Sequence, residues 1–379
     1  MAIRYITSGE SHGRMLAGTI ENIPAGLVID DKFVNGELAR RMLGFGRGGR
    51  MKIERDVAEF VTGVRGRISL GSPITAVIYN KDFENWAGVM GYDAENIGER
   101  AVTAVRPGHA DLSGALKYGF EDARNVLERA SARETAMRVA LGAVAKLYLK
   151  ALGISVESHT IAIGSVRADG IEYFDINKRA DADPVRCLDS HASEKMVEEI
   201  KRAASRGDTL GGVTEIVVTG CKSGIGSYVS EHKKLDGLIM REVGSVQAVK
   251  AVEIGDGIAD AYKLGSEVHD GIYAGYTRKT NRAGGVEGGM TNGERVIVRA
   301  YFKPIPTLKN GLDTVDLRTG EKRTAASERS DVCAVAAGGV VCEAAVALAL
   351  CSALSDMLGG DTMDEVVSRY NNKVGVKNS

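Results

Sequence analysis

Residues 1–30 alternate apolar and polar positions in a way that predicts a strand, a loop at Ser8–Gly13 and a second strand over Leu16–Ile23. Residues 33–43 carry the spacing of a short amphipathic helix that stops at Gly44, and residues 44–50, GFGRGGR, follow as a Gly/Arg loop. Strand patterns come next at Glu59–Arg65 and Ile74–Tyr79. Residues 80–112 have few long apolar runs and hold Trp86, Pro107 and His109; irregular segments of this length inside a compact chain are often functional. The strongest helical period runs from Asn125 to Leu149 through Val126, Leu127, Ala130, Met137, Leu141, Val144, Ala145 and Leu149, with Gly153 as its stop. Strand patterns recur at Ile154–Val166, Gly212–Thr219, Val249–Ile254 and Arg295–Tyr301, and helical ones at Lys195–Arg206 and Lys234–Val243. An apolar helix follows Asp331, and the polar tail from Arg369 is expected to fray. There is no repeat, no linker and no strict βαβ alternation. The pattern therefore predicts an α+β layered fold in one large domain over residues 1–379.

Charge removes two classes of partner. With 49 basic and 50 acidic residues the net charge is -1, so neither nucleic acid nor an anionic membrane is expected to bind, and any anion site must be local. The five cysteines form no C-x-x-C pair and are odd in number, so no metal site or disulfide framework is expected. The first residues, MAIRYITSGESHG, lack a signal or transit pattern, and the cytoplasm is the expected compartment. Cys333–Leu354 is long and apolar, but Glu343, Gly338, Gly339 and its many alanines favour a buried helix over a membrane span.

Candidate chemistry falls into separated segments. His12 lies in the N-terminal loop, and His109 lies in RPGHAD, flanked by Arg106 and Asp111. A loop histidine beside an arginine and a carboxylate can serve as an acid or base, or can be a hydrogen-bonded turn residue. Arginines cluster at 40, 41, 47, 50, 55, 65 and 67. GFGRGGR fits a phosphate grip through Arg47 and Arg50, a nucleic-acid contact, or a solvated turn. Within ERASARET, Arg129 and Arg133 are four apart and would share one helix face, as an anion site or as an exposed stripe paired with Glu128 and Glu134. The glycine-rich NRAGGVEGGMTNGE matches neither a P-loop nor a GxGxxG fingerprint, although bare glycines can cradle an anion. KPIPTL adds Lys303, and ERSDVC places Arg329 and Asp331 before the apolar helix, where Asp331 is a cap or a catalytic carboxylate.

Taken in order, GESHG, RPGHAD, RASARET, VRCLDS, GDTLGGV, QAVKAVEIGDG, NRAGG-x-EGG-x-TNGE, KPIPTL and R-x-D resemble the motifs of the chorismate synthase family, from about residue 3 to 358. Two departures are Ser330 and Val332, where the family often has R-H-D-P, and Ala251, where many members have glycine. The resemblance implies a β-α-β sandwich assembled as a homotetramer. It implies a carbon–oxygen lyase that removes phosphate from 5-enolpyruvylshikimate-3-phosphate by trans-1,4 elimination to give chorismate, with reduced FMN as cofactor and NADPH involved only indirectly or as reductant. Position by position, His109 matches the histidine assigned to protonation at the reduced flavin, His12 the one assisting the leaving phosphate, and Asp331 the carboxylate of proton removal through flavin N5. Arg129, Ala130, Ser131, Gln247, Ala248, Gly288, Lys303, Pro304, Ile305, Pro306, Thr307 and Arg329 match FMN contacts. Arg41 and Arg47 match NADPH positions, while Arg47, Arg106 and Arg133 are expected to converge on the substrate anions.

Overall fold

Two antiparallel sheets enclose a layer of helices. The computed structural model describes residues 2–48, 56–325 and 330–373; Arg50, Arg55 and Arg329 lie outside them. The first sheet has four strands in the order Arg4–Ser8, Met15–Glu21, Ile74–Tyr79, Glu59–Thr62. The second has five, in the order Val249–Ile254, Val296–Phe302, Gly212–Thr219, Ser155–Ile163, Val166–Arg167. The helix Thr135–Ala151 packs on the first sheet, the helix Val335–Leu358 packs on the second, and the two helices pack on each other. The α+β layering expected from the mixed pattern forms, as the β-α-β sandwich that the resemblance implies.

Local sequence explains the layers. In Met15–Glu21 the inward positions are Leu16, Gly18 and Ile20, and a methyl at Gly18 would overlap Met137 of the Thr135 helix. Glycine here lets the helix sit directly on the sheet. In the second sheet Ile216 and Val218 join the main core, while Val217 on the opposite face packs with Ile176 and Ile297. Covering both faces makes the strand read as a continuous apolar run instead of an alternating one. Asp30 and Asp189 cap the helices Asp31–Arg41 and Ser190–Ser205, each accepting two main-chain N–H groups. The aspartate of VRCLDS is therefore a helix cap.

The Val335 helix is long and apolar enough to cross a membrane by composition alone, but the protein buries it. Glu343 sits in it fully buried, taking two 2.8 Å hydrogen bonds from Arg40 together with contacts from Lys146, Ser158 and Arg186. A methyl at Gly142 would overlap Ala344, so the two central helices cross at a glycine with no long side chain between them.

Two expectations are corrected. The helix over Asn125–Leu149 is broken into Arg124–Ala130, a single 3₁₀ turn at Ala132–Glu134, and Thr135–Ala151. Ser131 leaves helical geometry at φ -60°, ψ 143°, and its hydroxyl accepts the Arg133 N–H at 3.3 Å, so it restarts the helix as a cap does. The tail does not fray at 369: Met363–Lys373 is a helix, Tyr370 is buried in the core, and Arg369 donates to the Leu358 carbonyl at 3.0 Å. Residues 374–379 lie outside the described ones.

Candidate active site

A cavity of about 570 Å³ lies where the two central helices begin. Its wall takes Ala130, Ser131, Ala132 and Thr135 from the start of one helix, and Asp331, Ala334, Ala337, Gly338 and Val341 from the start of the other. Two helix N-termini facing one space favour an anionic ligand through their dipoles. The rest comes from Ser11 and His12, Arg41 and Arg47, Arg106 with Gly108, His109 and Ala110, 246–248, Phe302 with Lys303, and 305–307.

His12 is held from several sides. Its Nδ1 lies 2.9 Å from both carboxylate oxygens of Glu128, and its main-chain N–H donates to Glu128 Oε2 at 2.9 Å. Its ring stacks on Trp86 with centroids 3.9 Å apart, and the Arg100 guanidinium lies 4.1 Å from the Trp86 ring centre. Burial opposes ionisation of Glu128, but hydrogen bonds from His12 and Arg124 outweigh it and hold the carboxyl below its ordinary range.

His109 is built on the same plan. Its Nδ1 contacts Asp111 Oδ1 at 2.5 Å, and Arg106 donates to Asp111 through Nε at 2.8 Å. Arg106 also donates to Thr307 Oγ1 at 3.0 Å, which ties the RPGHAD loop to KPIPTL. Lys303 closes the same junction by donating to the Gly108 carbonyl. Burial opposes the charge on Asp111, yet His109 and Arg106 together keep it well below the usual carboxylate range.

Asp331 is not a helix cap. The Val335 helix is capped at Ala334 without a side-chain bond, while Asp331 accepts the Gly48 N–H at 2.6 Å and pairs with Arg47 Nε at 2.8 Å. Gly46 lies against Ile200 and Cys333, and its carbonyl accepts the Val332 N–H at 2.8 Å. The described glycines of GFGRGGR thus bring that loop onto the protein's own backbone beside Asp331. Behind it, Arg41 donates to Thr135 Oγ1 at 3.0 Å and to the Ala132 carbonyl at 2.8 Å. Burial, then the positive charge of Arg47, pulls the Arg41 guanidinium down to about 10, with Asp56 at 3.9 Å offsetting part of that.

The cavity therefore gathers His12, His109, Asp331, Arg41, Arg47 and Arg106 with Ala130, Ser131, Gln247, Ala248, Lys303, Ile305, Pro306 and Thr307. Arg133, Arg129, Gly288 and Pro304 do not line it. Arg133 is turned to Asp56 at 2.6 Å and to Asn80, and Arg129 to the carbonyls of Thr7 and Gly9, so the helix break sends these two arginines apart. Gly288 sits at the turn between Val286–Glu287 and Met290–Thr291. The neighbouring Gly284 is packed against Gly255, so close backbone approach is what its lack of a side chain serves. The sequence marked Trp86 only as part of an irregular segment and gave Glu128 only a surface pairing. Arg124 and Glu128 at i, i+4 carried a local signal, but the contact of Glu128 with His12 spans 116 positions.

One buried polar atom is left over. Gln247 donates to Glu134 Oε2 at 3.2 Å, while its amide oxygen has no protein partner although it is buried. The residue as a whole borders the cavity, while this oxygen is turned away from the open space.

The chain matches the family model described as chorismate synthase over residues 3–355. It is 50% identical over 384 residues to a chorismate synthase of Bacillus cytotoxicus, covering 97% of this chain and 98% of that protein. It is also 50% identical over 368 residues to one of Alkaliphilus metalliredigens, covering 96% and 97% respectively. A crystal structure of chorismate synthase superposes with a TM-score of 0.79 at 35% identity over 99% of this chain and 98% of the other. A chain matched almost end to end by the family model, by relatives at 50% identity and by a solved structure belongs to the chorismate synthase family of shikimate-pathway lyases.

Proposed function

We propose that the cavity binds reduced FMN together with 5-enolpyruvylshikimate-3-phosphate, and that His12, His109 and Asp331 run the elimination with Arg41, Arg47 and Arg106 as anion holders. The observation that carries this reading is convergence: side chains from positions 12 to 331 line one cavity. The substrate brings a phosphate and two carboxylates, which calls for clustered guanidinium groups and helix N-termini in a chain of net charge -1. In the reaction the C3–O bond breaks with its electron pair on the departing phosphate, and a C6 hydrogen is lost, so no net oxidation occurs. Reduced FMN supplies electron density to the substrate as phosphate leaves. His12 protonates the phosphate oxygen, and Asp331, fixed by Gly48 and Arg47, serves the proton removal. His109, held by Asp111 and Arg106, keeps a proton at the flavin position. Ala130, Ser131, Gln247, Ala248, Lys303, Ile305, Pro306 and Thr307 form the flavin wall.

The whole chain works as one domain, as a homotetramer in the cytoplasm, and does not reduce its own flavin, so NADPH serves only indirectly, through flavin reduced elsewhere. Five free, buried cysteines fit a reducing compartment. The test is anaerobic. Enzyme, substrate and dithionite-reduced FMN should release phosphate and chorismate one for one while the flavin stays reduced. Oxidised FMN with NADPH alone should give no product. Turnover that oxidises the flavin stoichiometrically, or prompt flavin bleaching by NADPH with product formation, would overturn the corresponding part of the proposal.

A further inference from the structure

We infer that Glu128 is the positioning residue for His12, holding the imidazole so that the proton given to the departing phosphate moves at Nε2. This rests on the reading of His12 as the acid for that phosphate. The Glu128 side chain is 1% exposed and takes two fixed donors, the His12 main-chain N–H at 2.9 Å and Arg124 Nη1 at 2.9 Å, and His12 Nδ1 lies 2.9 Å from the same carboxylate. Only an acceptor-only group satisfies that set, and an ionised carboxylate is one. With Nδ1–H committed to Glu128, the ring keeps that proton in both its charged and neutral forms. The proton it exchanges with a ligand is then the one on Nε2.

A second contact fixes the ring plane. Trp86 stacks on His12 with an interplanar angle of 22°, and Trp86 is itself fixed by its indole N–H on Asp82 at 3.0 Å and by Arg100 over its ring. The carboxylate sets the ring's rotation and charge compensation, while the indole sets its tilt. The transfer balances simply. The C–O electron pair goes to phosphate, the Nε2 proton follows it, and a neutral imidazole with Nδ1–H on Glu128 remains.

A purely structural Glu128 would tie the 8–13 loop to the helix Arg124–Ala130 and do no more; its own carbonyl already accepts the Ser11 N–H at 3.0 Å. The two roles separate in a double-mutant cycle. Glu128→Gln keeps shape but offers one acceptor and a donating NH₂ to a ring of donors. With reduced FMN saturating, kcat of Glu128→Gln should fall by about 100-fold, within the roughly 10²–10⁴ that a positioned acid is worth, with KM changed by less than about threefold. In a His12→Ala background the same substitution should change kcat by less than about twofold, because the group it serves is gone. If Glu128→Gln keeps kcat within about threefold of wild type while His12→Ala collapses, the positioning role is wrong and His12 stands as the acid. An equal loss in both backgrounds also overturns positioning. Full turnover by His12→Ala would sink the role of His12 itself and this inference with it. Nitrogen-15 NMR of histidine-labelled wild-type enzyme needs no variant: the neutral His12 ring should carry its proton on Nδ1, and a proton on Nε2 alone would refute the assignment.

Discussion

Replacing Glu343 should show how much of the fold rests on one buried charge. Three cations, Arg40, Lys146 and Arg186, share their surroundings with three carboxylates, Glu37, Asp181 and Glu343. Glu343 touches all three cations and also takes the Ser158 hydroxyl. Burial opposes its charge, but Arg40 and Lys146 hold it well below the ordinary carboxylate range. Glu343→Ala leaves one buried positive charge without a counterpart, removes the acceptor of Ser158 and opens a void. Breaking one partner of a buried ion network costs about 3–5 kcal/mol, and the void puts this variant at the upper end. Glu343→Gln keeps shape and one acceptor and should fall near the lower end, at about 3 kcal/mol. Adding Lys146→Met to Glu343→Gln restores the charge balance and should recover part of the loss. Urea unfolding at neutral pH, with slopes compared so that only stability is read, gives each difference. A Glu343→Gln protein within about 1 kcal/mol of wild type would refute this account, because the cluster would then carry no net electrostatic weight.

Asp331→Asn should fold and bind FMN within about threefold of wild type, because Ala334 and not Asp331 caps the following helix, yet lose roughly 10²–10⁴ in turnover; an active variant would reduce Asp331 to a partner of Arg47. Gln247→Ala removes a side chain that borders the cavity and is anchored on Glu134, and should weaken FMN binding by about 5–10-fold in a flavin-fluorescence titration; an unchanged affinity would show that this side chain is no part of the flavin wall. Acid should destabilise the protein through carboxylates such as Glu215, where burial is outweighed by His159 and Arg299 so that its value drops from 4.5 to about 2. A depressed folded value means that the unfolded chain binds more protons in that window, so this contribution is complete above 4.5 and declines as pH falls toward about 2. Melting temperatures that stay flat on descending from about pH 6 to about pH 3 would contradict this.

The sequence was most legible where one physical term decides. Ile74–Tyr79, Gly212–Thr219 and Val249–Ile254 form at the predicted bounds because β-branched runs bounded by turn residues leave few alternatives. The break at Ser131 was hidden, since the apolar period continues on both sides of it and only a hydroxyl-to-backbone bond interrupts it. Tyr370 looked like part of a polar tail because its companions lie far away, at Gly220 and Lys222. The cavity followed the same rule. Motifs marked His12, His109 and Asp331, but Trp86 and Glu128 are ordinary residue types whose place beside His12 comes from contacts across the chain. Arg133 shows the converse: its motif was visible, and the helix break turned it toward Asp56.

The crossing at Gly142 and Ala344 has a mechanical consequence. With backbone against a methyl and nothing compressible between, the two helices act as a fixed gauge, and the residues at their starts, Ser131 on one side and Asp331 on the other, inherit a constant spacing. Widening the cavity by sliding helix past helix should therefore be costly. Admission and release of ligand are then expected at its lips, the loops at 106–110 and 303–307, which meet at Gly108, Lys303 and Thr307. Hydrogen exchange should separate the two, slow in the helix amides and fast in the lips, and equal protection would mean that the gauge itself yields. Substitutions in the lips should change how fast flavin and substrate enter and leave, while substitutions at the crossing should change whether the catalytic groups are in register at all.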